Sequence, residues 1–401
     1  MIIAMPRHAK ERSKIPFNPA VLRWAREFAR STYKEAANAA GVAPEKIEEW
    51  ESGASFPTVR QARAIANHYE RPFLEFFAQS VPDVQHSASV PDFRMSSLGD
   101  YSSDDRGLSS IQSWAETQRL NAIDLREMLG ELVSSTPQTL AAAEAESPDD
   151  AAARARDVFE ISPNSQFGLN AERRDKFPKY LRSAFEASGI LVLRNSALKQ
   201  HGARGMCIYA DPMPVIVFGD EQSGGQAFTL AHELAHIALK QSAVSGGIVP
   251  KAATGKTASI ERWCNRFAGC FLMPADIVRK EMGRFGDISD GIEGEALKSI
   301  ADWFAVSRHA MLVRLVELGA VSSEFYWGTM RQKFAEEEAA YKSFGRPKYY
   351  GSRFRTSNGD MYVSLVLEAW ATGKITNHNA GEFLGIKNPK HLFDVRSHFG
   401  M

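Results

Sequence analysis

The chain has 401 residues, 44% of them hydrophobic and 24% charged, so it can bury a sizeable core and has the length for roughly two to four domains. Lysine and arginine total 48, as do aspartate and glutamate, so the whole molecule is no general polyanion binder and any nucleic-acid contact has to come from a local patch. Three cysteines, Cys207, Cys264 and Cys270, without CxxC spacing argue against a disulfide framework or a cysteine-bound metal.

In chain order, the opening "MIIAMPRHAKERSK" carries basic residues with no apolar run behind them and does not read as a secretory signal. No window approaches the ~18 apolar residues of a membrane span, so a cytoplasmic protein without membrane contact is expected. Residues 17–80 read as five helical pieces. Val21, Leu22, Trp24, Ala25 and Phe28 share one helix face. Ser31 or Thr32 caps the next helix, Gly41 stops it, and Gly53 ends a third. A Ser-, Asp- and Pro-rich connector at 81–107 contains "VPDFR" at 90–94, and a long helix follows at roughly 108–133.

Beyond a break at "SSTPQTLAAAEAESPDD", helices are expected at 151–160 and 172–188. "GILVLRN", "GMCIYAD" and "PVIVFGD" are short apolar runs bounded by turn formers and read as strands, with "DPMP" as the hairpin turn between the last two. Helices are then expected at 224–240, 258–272, 274–282, 295–304, 307–318 and near 323–343. A basic stretch, "GRPKYYGSRFRTSNG", precedes helices near 361–371 and 376–384. The fold class is mainly α with a small α+β domain.

"AFTLAHELAH" at 227–236 contains His232-Glu233-Leu234-Ala235-His236, the pattern H-E-x-x-H. Positions four apart share a helix face, so both imidazoles can reach one zinc ion. Glu233 lies about 100° around the helix from His232, where a carboxylate can take a proton from the attacking water. Ala231, Leu234, Ala235, Ile237 and Ala238 mark the helix as largely buried, which argues against two histidines on a solvated face. A third ligand is needed. "ASIERWCNRFAGCFLMPADI" offers Glu261 as its only acid between Ser259 and Pro274, either as that ligand or as a surface acid paired with Arg262 or Lys256. His201, His309 and Tyr209 are weaker candidates for polarising a carbonyl.

"FTLAHELAHIAL" followed by "IERWCNRFAGCFLMP" resembles the ImmA/IrrE family of zinc metallopeptidases, through Glu261, Cys264, Asn265, Phe267, Ala268, Leu272, Met273 and Pro274. The resemblance covers roughly 170–322. It implies His232, His236 and Glu261 as zinc ligands and Glu233 as catalytic base. Asn265 either orients Glu261 or caps buried backbone. The targets it implies are regulatory proteins of the repressor or antitoxin kind, in stress response or toxin–antitoxin operons.

"RWAREFARSTYKEAANAAGVAPEKIEEWESGASFPTVRQARAIANHY" resembles the XRE-type helix-turn-helix domain, which implies an operator of double-stranded DNA and a homodimer on two half-sites. The helix from Pro44 complicates this, since Glu45, Glu48, Glu49 and Glu51 outnumber Lys46 and repel phosphate. Arg7, Lys10, Arg12, Lys14, Arg23, Arg26, Arg30 and Lys34, against Glu11 and Glu27, form a basic tract that suits backbone contact. Arg23, Arg26, Lys34 and Lys46 are the candidate DNA contacts, and a helical scaffold that packs on the peptidase or binds a protein partner is the competing reading. "VPDFR" resembles a segment between the two modules in fused proteins of this kind.

The expected organisation is a helix-turn-helix domain at 1–80, a connector with a long helix at 81–150, a metallopeptidase domain at 151–322 and a helical region at 323–401. Two functions compete. One is a zinc endopeptidase that cuts a regulatory protein. The other is a DNA-binding regulator or antitoxin whose zincin domain recognises a toxin with little or no proteolysis.

Overall fold

Thr32 and Thr58 each begin a helix in the same way. Their hydroxyls accept the N–H groups of Glu35 and Gln61, whose side chains accept the threonine N–H groups in return. The computed structural model describes residues 16–29, 31–69, 71, 73–81, 106–133, 135–246, 254–341, 350–386, 388 and 390–399. The chain divides into two units, Met1–Ser89 and Val90–Met401.

The first unit holds α1 (Pro19–Phe28), α2 (Tyr33–Ala40), α3 (Pro44–Ser52), α4 (Val59–His68) and a 3-10 turn, Phe73–Phe77. Gly41, at φ +67°, ends α2 in the left-handed conformation that lets α3 turn back onto it within three residues. Val21, Leu22, Ala36, Ile47, Trp50 and Ile65 form the buried centre. The basic arm residues Arg7, Lys10, Arg12, Lys14 and Arg30, and the VPDFR segment, lie outside the described residues.

The second unit begins with α5 (Arg106–Leu129), α6 (Pro148–Val158), α7 (Pro163–Gln166), α8 (Ala171–Asp175) and α9 (Phe177–Ala187). The three expected strands follow as β1 (Leu191–Arg194), β2 (Gly205–Ile208) and β3 (Val215–Phe218). β2 and β3 pair antiparallel, and β1 lies parallel to β3. After α10 (Ser223–Ala238), a strand that the sequence did not signal, β4 (Ala243–Ser245), adds to the free side of β2. Among the described residues the sheet order is β1-β3-β2-β4.

The remaining helices are α11 (Lys256–Leu272), α12 (Ala275–Met282), α13 (Gly294–Trp303), α14 (Arg308–Glu317), α15 (Ser323–Phe325), α16 (Arg331–Ala340), α17 (Tyr350–Ala371), α18 (Asn377–Leu384) and α19 (Lys390–His398). A π-helical turn, Tyr326–Met330, joins α15 to α16. α17 breaks at Gly359, at φ +85°. The fold is mainly α with one small mixed sheet.

The strands read as unbroken apolar runs because both sheet faces are covered. Val192, Cys207, Ile216 and Phe218 face a core shared with α6, α9, α10 and α11. Leu191, Leu193, Met206, Val215 and Val217 face the opposite core, built with α5 and α17–α19. Alternation along each strand therefore divides apolar residues between two cores instead of between core and water. No helix among the described residues is long and apolar enough to cross a membrane.

Candidate metal centre

α10 is apolar on nearly every side because it is enclosed by the sheet, α9 and α11. His232, Glu233 and His236 are the exceptions on its last two turns, at 6%, 0% and 0% exposure. Three polar side chains at that depth need partners or a ligand. α11 supplies Glu261, also buried. Its Oε1 lies 3.1 Å from His236 Nε2, and its Oε2 lies 3.4 Å from His232 Nε2. The two Nε2 atoms are 3.2 Å apart.

These separations test whether the residues fit a zinc ion. Ligands at about 2.0–2.1 Å in a tetrahedron stand about 3.3 Å from one another. His236 Nε2 stands near that edge length from both His232 Nε2, at 3.2 Å, and Glu261 Oε1, at 3.1 Å, while His232 Nε2 is 3.4 Å from the other carboxylate oxygen, Oε2. His232, His236 and Glu261 form a group that could hold a metal ion, and no other such group of three or more His, Cys, Asp or Glu side chains occurs among the described residues. Cys207 and Cys264 lie nearby, but burial pushes both thiols far up, so they stay neutral.

The electrostatics of the group are lopsided. Burial works against charge on Glu261, yet the adjoining imidazoles outweigh it and hold the carboxyl down to about 2. Burial likewise opposes charge on His232, but the Glu261 carboxylate beside it raises its basicity. His236 is lowered, mainly by burial. Glu261 is therefore anionic across the neutral range, as a metal-binding carboxylate must be. Asn265, one turn on from Glu261, neighbours the His232 ring and adds slightly to its raised basicity.

Glu233 belongs to a different environment. Burial pushes its carboxyl up to about 8, against the pull of His232. Neither of its oxygens has a partner of full hydrogen-bond geometry. The Ser245 hydroxyl and the Cys207 thiol are its polar neighbours. Ser245 lies on β4, a strand of three residues, too short for its alternation to show in the sequence.

The group opens onto a cleft of about 2180 Å3 lined by His232, Glu233, Asn265 and Ser245. His309 and Tyr326 line the same cleft. His309 bonds to Glu338 through Nδ1 at 3.0 Å and to the Tyr326 hydroxyl through Nε2 at 3.0 Å, and stacks on Phe334. Burial opposes charge on Glu338, but His309 and Arg204 hold it down to about 2. His201 packs instead against Gly107 of α5, and Tyr209 packs into the core around α10, so neither lines the cleft.

In the first unit, Arg26 is committed internally. Its Nε donates to Glu51 Oε1 at 2.7 Å and its Nη2 to Oε2 at 3.0 Å, while its guanidinium lies 4.2 Å from the Tyr33 ring centre. Glu51 is a buried acid, so the Arg26 charge is engaged within the unit. Lys46 pairs with Glu49 on its own helix. Arg23 is largely exposed and bonds weakly to the Glu51 carbonyl, and Lys34 is exposed.

Residues 185–316 match the model of the IrrE N-terminal-like domain, a peptidase family (M78). A search of curated proteins finds no match to this chain. The matched span runs from the last turn of α9 to the end of α14 and so takes in the whole sheet, α10 and α11. The buried His232–His236–Glu261 group and Glu233 all fall in the part of the chain that is similar to this peptidase-type domain.

Proposed function

We propose that the second unit is a zinc-dependent endopeptidase that hydrolyses a regulatory protein of the repressor or antitoxin class. One observation carries the reading. A fully buried glutamate without a full hydrogen-bond partner, Glu233, adjoins three ligand-type side chains close enough together to hold one ion, on an open cleft. A purely structural metal site has no use for such an acid, whose burial is costly unless it performs a task.

His232, His236 and Glu261 would hold the ion. Zinc, when bound, supplies Lewis acidity toward the scissile carbonyl and lowers the pKa of water. Glu233 takes a proton from the attacking water and returns it to the leaving amine. Its apolar surroundings match it to this task, since a carboxylate in water is too weak a base to hold the proton between the two steps. Asn265, beside His232, would help to orient its ring.

The first unit is read as a module for double-stranded DNA. The α2–turn–α3 pair, joined through Gly41, supports this. Of the four candidate contacts, Arg23 and Lys34 are exposed and not tied up in a close ion pair. Glu45, Glu48 and Glu49 on α3 favour the competing reading of this unit as a helical scaffold that meets a protein partner. The unsatisfied Glu233 favours the enzyme.

The test uses wild-type protein and Glu233→Gln on a proteome-derived peptide library, with zinc content measured in both. The expected outcome is retained zinc and a cleavage rate lower by about 10²–10⁴ in the variant. Equal cleavage by the two proteins, or none by either, sinks the peptidase reading.

A further inference from the structure

On β2 the Glu233 side chain meets a residue that has no side chain. A Cβ at Gly205 would lie 2.3 Å from Glu233 Oε1, 2.8 Å from Cδ and 2.9 Å from Cγ. The collision runs along the length of the glutamate, not only at its tip, and Glu233 is 0% exposed. Gly205 does not have a left-handed backbone, so conformational freedom does not explain a glycine here. Glycine weakens a strand, and close approach of a neighbour is the remaining reason to keep it. The cross-strand partner of Gly205 is Ser245. Ser245 is buried, and its hydroxyl lies 3.4 Å from His236 Nε2 and beside the Glu233 carboxylate.

We propose that Gly205 and Ser245 are positioning residues for the Glu233 carboxylate, Gly205 by leaving the volume the side chain fills and Ser245 by presenting a hydroxyl to it. The β2–β4 edge of the sheet then sets where the acid stands, while α10 and α11 set where the three ligand-type groups stand. The catalytic meaning of this seat rests on the peptidase reading; its geometry does not. An alanine at 205 displaces the carboxylate and leaves His232, His236 and Glu261 in place.

A double-mutant cycle on the metal-free full chain tests the seat. Thermal unfolding is measured for wild type, Gly205→Ala, Glu233→Ala and the double variant. Gly205→Ala alone is expected to lower Tm by about 4 °C or more. In the Glu233→Ala background most of that loss disappears, because the obstructing Cγ, Cδ and Oε1 atoms are gone. Equal losses in both backgrounds overturn the proposal. The cycle needs neither metal nor substrate, so it decides the seat even where the peptidase reading fails.

Cobalt(II) as a probe metal then links the seat to the site. Gly205→Ala and Ser245→Ala are expected to bind cobalt as the wild type does, with shifted visible absorption bands, and Ser245→Thr to restore the wild-type spectrum. Unchanged bands in both alanine variants remove the positioning role. A wild type that takes up no cobalt counts against the metal-centre reading, and the cycle still decides the seat.

Discussion

His236 Nε2 and Glu261 Oε1 stand 3.1 Å apart although 25 residues separate them in sequence. The packing of α11 against α10 brings them together, so the third ligand-type group depends on the core between those helices. If the centre holds zinc as proposed, Glu261→Ala is expected to lower zinc affinity by more than ~100-fold, and Asn265→Ala by about 10-fold, because the first removes a proposed ligand and the second only a neighbour of His232. Chelator competition measures both. Equal affinities for Glu261→Ala and wild type would leave the ion with no use for that carboxylate.

Glu338 provides a pH dependence away from the metal centre. Its folded value, about 2, lies below the ~4.3 of an unfolded glutamate. The stabilisation is therefore present above pH ~4.3 and is lost as pH falls toward ~2. Its side chain is 38% exposed, so solvent screening keeps the effect small. Glu338→Gln is expected to flatten this part of a Tm-against-pH curve and to leave the neutral-to-acidic shoulder above it unchanged. An acid limb as steep as that of wild type would count against the His309–Glu338–Arg204 cluster as its source.

Arg26 and Glu51 make a different kind of prediction. Glu51→Ala leaves a mostly buried guanidinium without its carboxylate and is expected to destabilise the first unit by about 3 kcal/mol. Arg23→Ala and Lys34→Ala are expected to leave stability unchanged. If the unit binds DNA, each reduces the slope of log affinity against log salt by about one. Denaturant melts and titrations at several salt concentrations separate the two effects.

Gly224 carries a purely steric prediction. A Cβ there would lie 2.4 Å from Ser307 N and 2.6 Å from the Val306 carbonyl carbon. Backbone cannot step aside as a flexible side chain can, so Gly224→Ala is expected to cost about 3 kcal/mol and to separate the start of α10 from the cap of α14. A melt unchanged from wild type would mean that this contact is looser than the structure shows.

Some of this arrangement was legible in the sequence, for physical reasons that can be stated. His232 and His236 could be read because a helix repeats about every four residues, whereas spacing left Glu261 open between ligand and surface acid, and only the resemblance to a known family singled it out. Thr32 and Gly41 could be read as helix ends because capping is local chemistry. Ser245 could not, since three residues show no period and β4 exists only by pairing with β2. Gly205 looked like a strand boundary until Glu233 was seen to fill the space beside it. The internal pairing of Arg26 was hidden as well, because Glu51, 25 residues away, looked like one more surface acid on a charged helix.

α17 was legible only in its second half. Helical backbone begins at Tyr350, and the glycine that reads as a boundary, Gly359, is instead an internal break. A Cβ at Gly359 would lie 2.2 Å from Glu186 Oε1 and 2.6 Å from Arg182 Nη2, so the break makes room for a buried ion pair on α9. Nothing local to "RTSNGDMY" announces that pair.

The sheet has no wet side. Tyr362, Val363, Val366 and Leu367 of α17 seal the face turned away from His232, together with Leu108, Ile111 and Ala122 of α5. The stretch that matches the peptidase model, 185–316, contains neither helix. Expressed alone, it would present Leu191, Leu193, Met206, Val215 and Val217 to water as one oily wall and clump before its histidines could be assayed. In this chain the smallest piece that keeps both sheet faces covered extends well past both ends of the matched domain, and anyone trimming it should cut no closer than the start of α5 and the end of α19.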